Sequence, residues 1–153
     1  MIDRAALCTE LTATWHRDIP LAAATSIGVD SYDGRTLAVR APLGPNRNLH
    51  GTAFAGSLFS VCVLTGWGAA WLALRERGLA GVIVVAESNI QYRKAVTGDL
   101  VCRCTPDAAA LAAAVEQLET KGRATFDLAC TIENDGKRAV SFSGAYVVHA
   151  KHT

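Results

Sequence analysis

The hydrophobic and polar positions of the chain are organised around one stretch, Ala53 to Leu74, AFAGSLFSVCVLTGWGAAWLAL, which holds no charge. A run of this length suits a membrane span, and it equally suits a helix buried on all sides in a core. Ser57, Ser60, Thr65, Gly56, Gly66 and Gly68 make it only moderately apolar, and Arg47 against Arg75 and Arg77 is no one-sided basic flank. The chain on both sides alternates as strands do, and such strands need cover for an apolar face. The expectation is a central helix wrapped by a sheet, not a span.

Before it, Asp3 to Arg17 reads as an amphipathic helix, with Leu7, Leu11 and Trp15 spaced by four and Pro20 stopping it. Ala24 to Tyr32 and Thr36 to Ala41 read as strands joined at Asp33-Gly34. Pro42 to Asn46 is loop by composition and delivers the chain to Asn48 and His50.

After the helix, Val82 to Tyr92 forms the longest strand. Its first half, Val82 to Ala86, is apolar on both faces, as in a strand buried from both sides or one lying at a dimer interface. Leu100 to Thr105 is the next strand. Asp107 then caps a helix running to Glu119, with Leu111, Val115 and Leu118 on one stripe and Gly122 closing it. Ala124 to Glu133 and Arg138 to His149 make a last hairpin across Asn134-Asp135-Gly136. Six strands and one helix too apolar to face water predict an α+β fold, an antiparallel sheet curled around that helix in one domain over residues 1–153.

Half the residues are hydrophobic and 19% are charged, which excludes disorder. A net charge of +1 without a basic cluster argues against nucleic-acid binding. The five cysteines, Cys8, Cys62, Cys102, Cys104 and Cys130, are odd in number and irregularly spaced, and the residues before them do not read as a signal peptide, so none is expected. They read as free thiols in a reducing, cytoplasmic compartment. His16, His50, His149 and His152 do not fall into ligand spacing with them, so no metal site is expected.

The element order, together with Asn48-Leu-His50-Gly51-Thr52-Ala-Phe54-Ala-Gly56-Ser57, resembles the hotdog-fold thioesterases. Acyl-CoA hydrolases of that superfamily carry an Asn-x-x-Gly-x-x-Phe-Gly-Gly loop entering the central helix. Asn48, Gly51, Phe54 and Gly56 match it, while Ala55 stands where the first of the paired glycines would be. Ile90 to Asp99 is similar to the family's strand-then-turn segment. His50 to Ser57 with Gly66-Trp67 is similar to a bacterial thioesterase subgroup also found fused to acetyltransferase domains. The resemblance implies a homodimer or higher homo-oligomer with no cofactor, and acyl-CoA or acyl-carrier-protein thioesters entering a pocket between subunits.

Thioester hydrolysis needs a polarised carbonyl, an activated water and a slot for the acyl group. Unpaired N–H groups around Gly51, Thr52 and Phe54, at the positive end of the helix dipole, are candidates for binding an oxyanion, and Gly51 and Gly56 permit close approach. Asn48 either orients water or bonds its own loop. His50 is a candidate base or an exposed loop histidine. Ser57 and Thr65 are candidate pocket contacts, or a packing residue in the case of Ser57. Many hotdog thioesterases carry a carboxylate on the central helix; here that position is Val63, and Gly51 to Leu74 holds no Asp or Glu. Strand alternation puts Glu87 on the face of Ile83 and Val85, which makes it the remaining carboxylate candidate, or else a solvated charge. The missing helix carboxylate keeps open a non-catalytic acyl-CoA or acyl-carrier-protein binder, and an oligomerisation module is a third class. A hotdog dehydratase would lack its helix-borne acid as well.

Overall fold

A computed structural model describes residues 1–151; His152, one of the histidines weighed above, lies outside the described residues. Helix α1, Arg4–Asp18, is capped by Asp3, whose carboxylate accepts from Ala6 N at 3.0 Å, and buries Leu11 and Trp15. Pro20 both ends α1 and opens a short helix α2, Pro20–Ala24. The start of the expected first strand is therefore helical, because a proline ring is already set for a first helical position and lacks an N–H to satisfy. Strand β1, Gly28–Tyr32, and β2, Leu37–Ala41, follow.

The apolar stretch becomes α3, Ala55–Arg75, with thirteen of its 21 residues buried. Its length and composition would allow a membrane crossing, but the sheet covers it. The remaining elements are β3, Gly81–Tyr92; β4, Leu100–Cys104; α4, Ala108–Lys121; β5, Arg123–Asn134; and β6, Lys137–Ala150. Asp107 caps α4 and Gly122 closes it, as the sequence predicts.

All strands pair antiparallel in one sheet, ordered β1-β2-β4-β5-β6-β3. On β5 and β6 alternate residues, including Phe126, Leu128, Cys130, Phe142, Tyr146 and Val148, turn inward onto α3. This alternation makes the inner face the core and leaves the outer face polar. Four of the thiols, Cys62, Cys102, Cys104 and Cys130, are buried in that core, with the sulfurs of Cys62 and Cys102 3.8 Å apart.

Strand β3 is the margin of the sheet. Only Ile83 of its apolar half is buried, and Val82, Val84 and Val85 are 46%, 48% and 40% exposed. The expected burial from both sides is thus absent within one chain. What the valines give is an edge strand whose apolar surface stays uncovered in the protomer.

Candidate active site at the entry of the central helix

The loop before α3 is built on Asn48. Its Oδ1 accepts from His50 N at 2.8 Å and Thr52 N at 3.1 Å, and its Nδ2 donates to Thr52 Oγ1 at 2.9 Å and Ala53 O at 3.4 Å. An amide side chain has two donor hydrogens and two acceptor lone pairs, so all four valences are used within the loop. Asn48 fixes the turn and has nothing left for a water. Gly51 closes it at φ +80°, a conformation that favours glycine.

The N–H groups of this loop are also consumed. Gly51 N donates to Asn48 O, Thr52 N to Asn48 Oδ1, Ala53 N to Val96 O at 2.9 Å and Phe54 N to Asn46 O at 2.7 Å. The expected donors at Gly51, Thr52 and Phe54 are therefore not free. The bond from Ala53 to Val96 ties this loop to the chain that follows β3, and the bridge between Arg47 and Ala53 closes the loop on itself.

The free donors lie one step later. Helix α3 has Phe54 as N-cap with no side-chain cap, and its first N–H bonded back is Leu58 N, to Phe54 O at 3.0 Å. Ala55, Gly56 and Ser57 N–H thus have no partner among the described residues, and they stand at the positive end of a 21-residue helix. The Ser57 hydroxyl has no hydrogen-bond partner there either, although the residue is only 8% exposed. The Phe54 ring is half exposed and lies against Gly56, where a Cβ would come 2.4 Å from Phe54 Cε2. His50 is exposed, and its ring has no hydrogen-bond partner among the described residues.

Thr65 is elsewhere. It is fully buried two turns further on, and its hydroxyl donates to Val61 O at 2.6 Å. That back-bond satisfies the hydroxyl inside the helix.

Glu87 is on the opposite side from the one alternation predicts. Val85 pairs with Tyr146 and Glu87 with Ala145, so Ala86 is an extra, unpaired residue. A bulge of one residue reverses the faces beyond it. Ile83 and Val85 face inward with Val148 and Tyr146, whereas Glu87 stands outward in a trough with Asn89, Asp127, Ser143 and Ala145.

The same reversal sends Tyr92 inward, a residue whose role the sequence alone does not show. Its hydroxyl donates to Ala55 O, the first carbonyl of α3, at 3.1 Å. Burial pushes its phenol up from the ordinary value, and its hydroxyl acts as the donor. The half-buried residues of α3, Gly56, Phe59, Ser60, Val63, Trp67 and Trp71, recur every three or four positions and form one stripe from the helix entry. The Trp67 indole donates to Ile83 O at 3.0 Å, which puts this stripe beside the edge strand. Val63 lies on it. The position of the missing carboxylate is therefore half-buried on this stripe, and it is apolar.

Chemically, the entry offers three free N–H donors, a free hydroxyl, one exposed imidazole, and a half-buried, mostly apolar stripe leading away along the helix. Donors placed in this way stabilise a developing oxyanion.

Comparison with known proteins identifies the family and the fold. Residues 8–150 match the family described as "Putative thioesterase (yiiD_Cterm)". A solved structure of the putative thioesterase from Shewanella oneidensis is 34% identical, covering 94% of this chain and 97% of that one, with a TM-score of 0.88. A protein of unknown function from Chlorobaculum tepidum TLS is 32% identical over 97% of each chain, with a TM-score of 0.93. A Pseudomonas aeruginosa thioesterase, 14% identical with a TM-score of 0.73 over 94% of each chain, shares the fold alone. The protein belongs to this thioesterase family and has the hotdog fold, its curled six-stranded sheet wrapped around α3.

Proposed function

We propose that the protein hydrolyses acyl thioesters, carried by coenzyme A or acyl-carrier protein, at the entry of α3. The observation that carries this is the set of free donors at Ala55, Gly56 and Ser57, opening onto an apolar stripe, in a chain of the thioesterase family. Water attacks the thioester carbonyl, and the resulting oxyanion is held by these N–H groups. His50 takes the proton from the water and returns it to the sulfur as the carbon–sulfur bond breaks, releasing a carboxylic acid and a thiol. It is the one imidazole at the entry, the side-chain type that both takes up and gives back a proton in such an exchange.

The slot is completed in this reading by a second copy of the chain. The uncovered edge of β3, with Val82, Val84 and Val85, lies beside the half-buried stripe of α3. Pairing two such edges would bury both surfaces and extend the sheet, which is the general remedy for an exposed apolar strand. The acyl group then runs along Phe59, Val63 and Trp67 at the seam.

A second reading, a binder without turnover, is favoured by one specific observation. Neither α3 nor the inward face of β3 holds a carboxylate, because position 63 is valine and the bulge turns Glu87 outward. The deciding experiment is turnover of short- to long-chain acyl-CoAs followed by mass spectrometry, beside His50→Ala. Hydrolysis that falls sharply in the variant supports the enzyme with His50 as base. Unchanged hydrolysis in the variant sinks that assignment. Binding of acyl-CoA without turnover in the wild type sinks the hydrolase in favour of the binder.

A further inference from the structure

Two tyrosines donate to carbonyls of α3 from neighbouring strands. Tyr146 on β6 reaches Val63 O at 2.7 Å, and Tyr92 on β3 reaches Ala55 O at 3.1 Å. The two bonds look alike but act on different peptide groups. The carbonyl of Val63 shares its peptide with the N–H of Leu64, which is already bonded inside the helix ladder. The carbonyl of Ala55 shares its peptide with the N–H of Gly56, which is free. A hydrogen bond accepted by a peptide carbonyl draws electron density from its nitrogen and strengthens the N–H as a donor, by about 10–30% per bond.

We propose that Tyr92 is a positioning residue for the proposed hydrolysis, its hydroxyl polarising the Ala55–Gly56 peptide so that Gly56 N–H becomes the stronger oxyanion donor. The inference rests on the reading of the α3 entry as the oxyanion site. It adds a link between the site and the sheet margin, since Tyr92 closes the edge strand and is itself 48% exposed. Tyr92 does not touch the reacting atoms in this account. It acts through one peptide plane, in a first turn that has no side-chain cap.

The test is Tyr92→Phe, which keeps the ring and removes only the hydroxyl, read against Tyr146→Phe. Loss of a whole oxyanion donor costs about 10²–10³ in kcat, so losing 10–30% of its strength predicts a kcat lower by about two- to eight-fold. KM is expected to stay unchanged, because the effect is on the oxyanion and not on the bound thioester. The second readout is the amide resonance of Gly56 by NMR in the free protein. It moves in Tyr92→Phe and stays in Tyr146→Phe, whose perturbation falls on Leu64. Wild-type kcat in Tyr92→Phe together with an unmoved Gly56 amide overturns the proposal. If the wild type hydrolyses no thioester, the functional reading falls but this coupling is still decided. A displaced Gly56 resonance sustains it, and an unmoved one ends it.

Discussion

The first and third turns of α3 carry the same two-part device with opposite consequences. Each has a glycine that makes room and a tyrosine hydroxyl that donates to a helix carbonyl. Beside the third-turn carbonyl of Val63, Gly66 admits Tyr146, which is fully buried, and its phenol is pushed up chiefly by that burial. A Cβ on Gly66 would lie 2.3 Å from Tyr146 Oη. At the first turn Gly56 admits the exposed ring of Phe54, and the tyrosine is the half-exposed Tyr92. The chemistry of the contacts is the same. What differs is whether the neighbouring N–H groups are already taken, as in the helix interior, or free, as they must be at an N-terminus. The device gives stability in the first case and preorganises a ligand site in the second.

The widest separation of the two turns is expected from Gly66→Ala. The added methyl meets a buried, hydrogen-bonded ring that has no room to retreat, so overpacking should cost about 3 kcal/mol in urea unfolding. A midpoint equal to wild type would show that Tyr146 can leave its seat, and the contrast would collapse. Next comes Asn48→Ala, which removes four hydrogen bonds from the entry loop. A loss of about 2 kcal/mol is expected, because the amides of His50 and Thr52 are near the surface and regain part of it from water. Hydrolysis should fall by up to about 10²-fold as the entry geometry loosens. Unchanged kcat with reduced stability would separate the loop from the chemistry.

Much of the fold is legible in the sequence because periodicity and length are physical signals. The uncharged run flanked by strands reads as a covered helix, and the hairpin turns and the cap at Asp107 are local chemistry. The site was harder for two identifiable reasons. Whether an N–H is free depends on partners outside the entry motif, such as Asn46 just before it and Val96 far along the chain. The donors therefore fall one step later than the motif suggests. The bulge at Ala86 carries no glycine or proline to mark it, yet that one residue exchanges the faces of Glu87 and Tyr92. The positions of Asn48 and Gly51 at the helix entry were readable, whereas the use of Asn48's amide in holding the loop needed coordinates.

Gly56→Ala sharpens the comparison from the other side. Its methyl first meets the edge of the Phe54 ring, a half-exposed side chain with solvent beside it to swing into. Alanine also favours a helix over glycine by about 1 kcal/mol, so stability should change by less than that amount. The displaced ring and the added methyl crowd the face that the Ala55 and Gly56 donors present to a ligand. Hydrolysis is expected to fall by about ten-fold or more. Stability lost without an effect on rate would make Gly56 a packing residue like Gly66.

The smallest effect is expected from Glu87→Gln, and its smallness is informative. If the inward and outward faces of β3 divide at Ala86 as the register shows, Glu87 shares the outer trough with Asp127 and is separated by the sheet from the donors of α3. Substituting a solvated surface carboxylate should then change stability by no more than about 0.5 kcal/mol. The kcat for any thioester should stay within about two-fold of wild type, with an unaltered pH profile, since the proton exchange proposed for His50 does not pass through the outer face. A large loss of kcat with KM retained would mean that the carboxylate reaches a reacting water across the seam, from a second copy. The bulge would then be the feature that aims it there, and the division between the two faces would no longer separate structure from chemistry.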